Sequence, residues 1–275
     1  MVVAFSGGVD SALLLKIAAD ALGPDRVLAV TGRSPSVPSA ELASASALAA
    51  ECGVRHEFID TAEFDNPHYV ANPSDRCYHC KTELYGKLVP LAAARGFAAV
   101  VSGTNADDLG DHRPGLQAAA ERCVAAPLAE VGLTKAELRA IGAELGLSVY
   151  DKPASPCLSS RIPYGEAVTP EKLARIDAAE TCLRQLGFRE CRVRHHENLA
   201  RIEVSAVDLP RFADAELRAR IDARLRELGF QYVTLDLRGF RSGSLNEVLL
   251  GAGFVAPVPD DAPLEGEWYV FPGHS

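Results

Sequence analysis

Short apolar runs alternate along the first part of the chain with stretches of helical period. "VVAF" reads as a buried strand followed by a helix from Ala12 to Leu22, and "RVLAVTG" precedes a helix from Ala40 to Cys52. "RHEFID" precedes a helix near Lys81 to Arg95, "FAAVVSGT" is followed by a helix over Lys135 to Leu145, and "LSVYDKP" reads as a last strand. Buried strands separated by helices predict an α/β fold built on a doubly wound parallel sheet. After Tyr164 the pattern changes. Pro170 to Leu186 is helical, "ECRVRHH" and "ARIEVS" read as paired strands, Leu217 to Leu228 is helical and "YVTLDLRG" is a strand. The expected domains are residues 1–165, a smaller α+β domain over 166–256, and an irregular tail rich in Pro and Gly over 257–275.

Sheets of this kind bind ligands beyond the carboxyl ends of their strands. The segments "SGGVDS", "SGTNADD" and "KPASPCLSSR" each follow a predicted strand, so they are expected to converge on one crevice. In the first, Gly7 and Gly8 allow close backbone approach to an anion, Ser6 and Ser11 add hydroxyls, and the helix that follows adds the positive end of its dipole. Asp10 suits Mg²⁺ held between phosphates, or the ordering of the loop. The Gly-Lys-Ser/Thr ending of a Walker loop is missing. "SGGVDS" after a first strand resembles instead the PP-loop of the ATP pyrophosphatase superfamily, which implies ATP cleaved between its α- and β-phosphates.

Composition narrows the partner. With a net charge of -9, the chain is poorly suited to gripping a nucleic-acid backbone, which favours a small-molecule substrate. No apolar run approaches the roughly 20 residues that cross a bilayer, and no secretory signal opens the chain, so the cytoplasm and no membrane are expected. Seven cysteines, an odd number, then imply free thiols rather than a disulfide framework. Cys77 and Cys80 form C-x-x-C, a spacing open to a metal or cluster, a redox pair, or coincidence. Cys157 falls in a loop expected at the crevice, with Arg161 near enough to favour its thiolate. Cys52, Cys123, Cys182 and Cys191 lie in apolar or periodic contexts and read as packing residues, and His195 and His196, adjacent on a strand, face opposite ways and are discounted as metal ligands.

Taken in order, "SGGVDS", "SPSVPSAE", "RCYHCK", "GTNADDLGDHRPG", "PCLSSRIPYG" and "RGFRSGSLNE" resemble the LarE family, ATP-dependent sulfur transferases of nickel-pincer nucleotide synthesis, over nearly the whole chain. Family members carry a short helical segment before the first strand, whereas Met1 here stands almost inside it. The resemblance implies that a carboxylate of a pyridinium dicarboxylate mononucleotide attacks the α-phosphate of Mg²⁺-bound ATP, giving an acyl adenylate and pyrophosphate. Cys157 matches the family's sulfur donor. Its thiolate would form a thioester, and loss of the Cα proton would break the Cβ–S bond and leave dehydroalanine. The three-cysteine members hold a 4Fe-4S cluster, so Cys77, Cys80 and Cys157 together imply one with an open iron. The family also tends toward homo-oligomers.

Other residues complete the expected site. Gly103 and Thr104 are expected along the adenosine pocket, while Asp107 and Asp108 suit Mg²⁺, the ordering of their loop or a helix N-terminus. Arg113 is suited to clamping a phosphate or carboxylate, and Arg161 shares that role. Arg192 and Arg194 share one strand face and suit the substrate phosphate, as does Arg241, while Glu180 and Glu203 fit positions the family uses near its substrate. A solvated salt-bridge face is the competing reading for Arg192, Arg194, Glu180 and Glu203. Rival activities are a PP-loop tRNA thiolation enzyme, which needs a broad basic surface, an amidating enzyme, which needs no cysteine set, and a non-catalytic sensor on the same fold.

Overall fold

The computed structural model describes residues 1–110, 114–153, 155–241 and 243–245. Arg113 and the predicted tail over 257–275 lie outside the described residues. In chain order the elements are β1 (Val2–Ala4), α1 (Val9–Leu22), β2 (Leu28–Arg33), α2 (Ser39–Glu51), β3 (Arg55–Asp60), α3 (Pro67–Val70), α4 (Arg76–Ala94) and β4 (Val100–Ser102). There follow α5 (Pro114–Glu121), α6 (Pro127–Glu130), α7 (Lys135–Glu144), α8 (Pro170–Gln185), β5 (Cys191–His196), β6 (Leu199–Val204), α9 (Ala215–Glu227) and β7 (Tyr232–Leu235).

The first four strands pair in parallel in the order β3-β2-β1-β4, with Val2 in register with both Leu28 and Val100. The chain winds outward from β1 to β3 and then returns to lay β4 on the other side of β1. The direction of winding therefore reverses between β1 and β4, where such sheets open a crevice. Alternation puts Val3, Ala29 and Val101 on the face covered by α1, α2 and α7, and Val2, Leu28, Val30 and Val100 on the face covered by α4 and α5. β1, β2 and β4 are largely buried on both faces, as their apolar runs predicted, while the edge strand β3 stays partly exposed.

"LSVYDKP" is not a strand. Leu147 anchors in the core, but the Tyr150 N–H donates to the Leu147 carbonyl (3.2 Å) and the Lys152 N–H to that of Val149 (3.0 Å), so the segment is a run of turns. The free edge of β4 is taken instead by Ala125, which exchanges hydrogen bonds with Val100 and Ser102. Helix α4 begins at Arg76, ahead of the predicted Lys81, which puts Cys77 in its first turn and Cys80 at the start of its second.

The second sheet has the order β5-β6-β7, with β5 antiparallel and β7 parallel to β6. Leu183, Phe188, Val193, Ile202, Ile221 and Leu225 form its core under α8 and α9. Both sheets belong to one compact unit, Met1–Phe240, and a second unit runs over Arg241–Ser275. A further core of Tyr69, Leu158, Ile162, Val168, Leu173 and Ile176 ties α3 and α8 to the segment that carries Cys157. Among the described residues no helix is long and apolar enough to cross a membrane.

Candidate active site

The loop after β1 is shaped by its small residues. Gly7 takes φ +73, a conformation that costs a residue with a Cβ about 1 kcal/mol or more, and Gly8 caps α1 with no side-chain capping bond. Ser11 Oγ accepts from the Ser6 N–H (3.2 Å) and donates to the Gly8 carbonyl (3.1 Å), and Ser6 Oγ accepts from the Gly8 N–H (3.4 Å). Gly103, directly after β4, packs against this turn: a Cβ there would stand 2.7 Å from Ser11 N and 2.9 Å from Asp10 C. The side chain of Thr104 bonds that of Ser102 (3.0 Å).

Two lysines from distant sequence close on the loop. Lys152 Nζ donates to the Gly7 carbonyl (3.2 Å) and pairs with Glu41 (2.6 Å), while Lys135 Nζ pairs with Asp10 Oδ2 (2.6 Å). Asp10 Oδ1 is buried with no hydrogen-bond partner among the described residues. A buried oxygen with an open valence at a phosphate-type loop fits a Mg²⁺ ligand. Asp107 Oδ2 accepts from the Lys135 N–H (2.9 Å), and Asp108 Oδ2 accepts from the Asn105 N–H (3.1 Å), so both carboxylates make bonds that order the loop after β4.

The Cys157 segment is pinned from several sides. The Leu158 N–H donates to the carbonyl of Ser36, which follows β2 (2.8 Å). Arg161, 1% exposed, donates to the carbonyls of Pro156 (2.8 Å) and Cys157 (3.1 Å) and forks onto both oxygens of the buried Glu180 (2.8 and 3.0 Å). Buried Arg76 donates to the Ser159 carbonyl (3.0 Å) and to Asn72, and the Tyr69 hydroxyl meets Ser159 Oγ (2.8 Å). From β5, Arg194 donates to the Ser160 carbonyl (2.8 Å) and forks onto Glu203 (3.0 and 2.8 Å). Glu180, Glu203, Arg161 and Arg194 are thus a buried, paired set behind the Cys157 loop, not a solvated face. Arg192, also buried, stacks its guanidinium over Phe240 at 5.0 Å, and burial first, then the nearby Arg161, lower it to about 10. Arg241 opens the second unit, where its carbonyl accepts from the Ser244 N–H (3.4 Å).

The three thiols of interest share a neighbourhood. Cys77 is exposed, Cys80 and Cys157 are half-buried, and Cys80 packs against the core that contains Leu158. Desolvation pushes the Cys80 thiol up to about 12, opposed by Lys81 and reinforced by Glu63 and the Cys157 and Cys77 sulfurs. Desolvation by the surrounding protein and then the Cys157 sulfur also raise Cys77, while Arg76 and Lys81 pull it back. Among the described residues no group of three His, Cys, Asp or Glu side chains is placed to hold a single metal ion. Thiolates are the donors a 4Fe-4S cluster takes, each on a different iron, so they need not meet at one point. His195 is 2% exposed with Nδ1 3.4 Å from Glu166, a packed residue. Cys52 and Cys191 are buried as expected of packing residues, whereas Cys123 is exposed, in a turn just beyond α5 with φ +51.

Lys135, Lys152, Arg76 and Asn72 were missed from the sequence. Thr134 and Glu137 form a capping box that marks Lys135 as the first residue of α7, a signal readable in "TKAE", but nothing local links that lysine to Asp10.

Residues 1–73 match a sequence model of the NAD synthase family. The chain is 50% identical over 247 residues to an uncharacterized protein of Synechocystis sp., covering 90% of this chain and 92% of that one. It is 42% identical over 250 residues to the pyridinium-3,5-bisthiocarboxylic acid mononucleotide synthase of Lactiplantibacillus plantarum, covering 91% of this chain and 90% of that one. An uncharacterized protein of Methanocaldococcus jannaschii is 28% identical over 242 residues, 88% of this chain and 91% of its own. By the extent of these matches and the loop after β1, the chain belongs to the LarE family of pyridinium-3,5-bisthiocarboxylic acid mononucleotide synthases, ATP-using PP-loop sulfurtransferases.

Proposed function

We propose that the protein uses ATP to activate the carboxylates of pyridinium-3,5-biscarboxylic acid mononucleotide and converts them to thiocarboxylates for a nickel-pincer nucleotide. The observation that carries this reading is the junction of two chemistries. An anion-shaped loop follows β1, and the Cys157 segment is held at Ser36 after β2 and tied back to Gly7 through Lys152. The Lactiplantibacillus relative, a pyridinium-3,5-bisthiocarboxylic acid mononucleotide synthase, supports the substrate class.

In this reading the phosphates of ATP lie on the N–H groups of Gly7, Gly8 and the start of α1, with Ser6 and Ser11 beside them and the adenosine along Gly103 and Thr104. Asp10 holds Mg²⁺, with Asp107 and Asp108 as further candidates. A substrate carboxylate oxygen attacks the α-phosphorus, the bond to the β-phosphate bridge breaks, and pyrophosphate leaves. AMP on the carbonyl is then a leaving group that a sulfur nucleophile displaces. Arg192, Arg241 and Arg113 are the proposed contacts to the substrate's phosphate and carboxylates. Arg161, Glu180, Arg194 and Glu203 support the Cys157 loop through their mutual pairs.

Cys77, Cys80 and Cys157 are the proposed ligands of a 4Fe-4S cluster, which when bound would supply an open iron able to carry an extra sulfide. The proposed setting is the cytoplasm, as a homo-oligomer. The test is iron and acid-labile sulfide on anaerobically purified protein, together with pyrophosphate release. About four of each per chain are expected, lost in C77A, C80A and C157A, with pyrophosphate released only when the pyridinium mononucleotide is present. Iron-free active protein that ends with dehydroalanine at position 157 would replace the cluster with a sacrificial Cys157. Pyrophosphate release driven by tRNA instead would overturn the substrate.

A further inference from the structure

The helix that carries Cys77 and Cys80 and the loop that carries Cys157 are joined by a brace at the start of α4. Asn72, fully buried and at φ +56, donates through Nδ2 to the carbonyls of Ile162 (3.3 Å), Pro163 (2.7 Å) and Glu166 (3.1 Å), and its own carbonyl accepts from the Gly165 N–H (2.9 Å). Its side-chain oxygen accepts from Arg76 Nη1, which also donates to the Ser159 carbonyl (3.0 Å). Arg76 thus reaches from the residue before Cys77 to the segment just after Cys157. Buried Arg161 and Arg194 each fork onto a glutamate, whereas Arg76, 3% exposed, has no carboxylate partner among the described residues. A buried cation without a counter-ion is costly. Burial opposes its charge, while the Cys157 sulfur, then that of Cys77 and the Tyr69 and Tyr164 hydroxyls, hold the guanidinium above its ordinary range. Thiolate sulfur is the nucleophile and the metal ligand of a cysteine, so these sulfurs are the negative groups the position offers.

We propose that Arg76 is the positioning residue of the Cys157 site, fixing the loop against α4 through Ser159 and Asn72 and facing its sulfurs with the positive charge that favours an anion among them. This rests on the reading that Cys157 carries the sulfur chemistry, and it holds whether Cys157 is a cluster ligand or the sulfur donor itself.

The test is alkylation of the native apoprotein with iodoacetate and with iodoacetamide, followed residue by residue by mass spectrometry. Both reagents consume the same thiolate, so the ratio of their rates cancels its abundance and reads the charge around the sulfur. In the unmodified protein the ratio at Cys157 is expected to exceed that of the same residue in urea about fivefold or more, the worth of one unit charge about 4 Å away in water. R76Q is expected to remove most of that excess and R76K to keep it, with exposed Cys123 unchanged in both. Equal ratios in folded and unfolded protein, a comparison that needs no variant to fold, would overturn the proposal. An excess that survives R76Q would also overturn it and pass the role to Lys81, whose ammonium lies 5.7 Å from the centre of the Tyr85 ring. An equal fall in R76Q and R76K would make the effect one of shape, and Arg76 a structural support only. C157A protein that still converts the pyridinium mononucleotide would remove the reading of Cys157 itself, a result separate from any change in the ratios.

Discussion

Arg161→Met tests whether the buried pair with Glu180 on α8 holds the Cys157 loop. The guanidinium is 1% exposed, forks onto a carboxylate that is itself fully buried, and supplies the carbonyls of Pro156 and Cys157 with donors. Met fills much of the same space, so the loss is of charge and hydrogen bonds more than of volume. Breaking a buried pair from one side costs about 3–5 kcal/mol, because it strands the other charge. Glu180 keeps Arg184 at 2.9 Å and the Val193 N–H at 3.1 Å, so the lower end, about 3 kcal/mol, is expected. For a unit of this size that is a fall in Tm of about 6–12 °C. Urea unfolding followed by circular dichroism reads it directly, with an unchanged m-value. The pH dependence has a definite sign. Burial works to raise the Glu180 carboxyl, but the Arg161 guanidinium, together with Arg192 and the Val193 N–H, holds the group below the usual carboxylate range. A carboxyl depressed by folding contributes stability that is present above its unfolded value of about 4.3 and lost as pH falls through the folded value. The gap between wild type and R161M should therefore stay constant from pH 7 down to about pH 4.3 and narrow on further acidification. A cost under about 1 kcal/mol at pH 7, or a gap that widens on acidification, would refute the reasoning.

Two further outcomes follow from the geometry of the loop and the thiols. Gly103→Ala would drive a Cβ into the backbone of Asp10 and Ser11, so a loss of about 1–3 kcal/mol and of ATP-analogue affinity is expected by thermal denaturation and calorimetry; normal values in both would show that the turn is not packed as described. Maleimide labelling of the native apoprotein, mapped by mass spectrometry, should modify exposed Cys77 and Cys123 well before Cys52 and Cys191. Burial pushes the last two thiols up to about 11 and about 12, and labelling of Cys191 ahead of Cys77 would contradict that order.

Local pattern encodes much of the fold. Apolar runs and helical period placed β1 to β4 and α1, α2, α4 and α7, and the change of pattern after Tyr164 placed the second sheet. The composition of "SGGVDS" marked the loop after β1, because φ > 0 and close backbone approach restrict the residues a position tolerates. "LSVYDKP" shows the limit: its apolar residues announced burial, which Leu147 has, but only the fold decided that Ala125 takes the edge of β4. Side-chain pairing was illegible for a related reason. Arg161 meets Glu180, Arg194 holds the Ser160 carbonyl, and Lys135 reaches Asp10 across 125 residues, contacts that exist only once the strand order β3-β2-β1-β4 and the core of Tyr69, Leu158 and Ile176 have brought those segments together. Charge alone marks a residue as one that seeks a partner; which partner it finds, and whether the pair is exposed or buried, is decided by topology and burial, because both the Coulomb attraction and the desolvation cost depend on distance and surroundings that neighbours in sequence do not set.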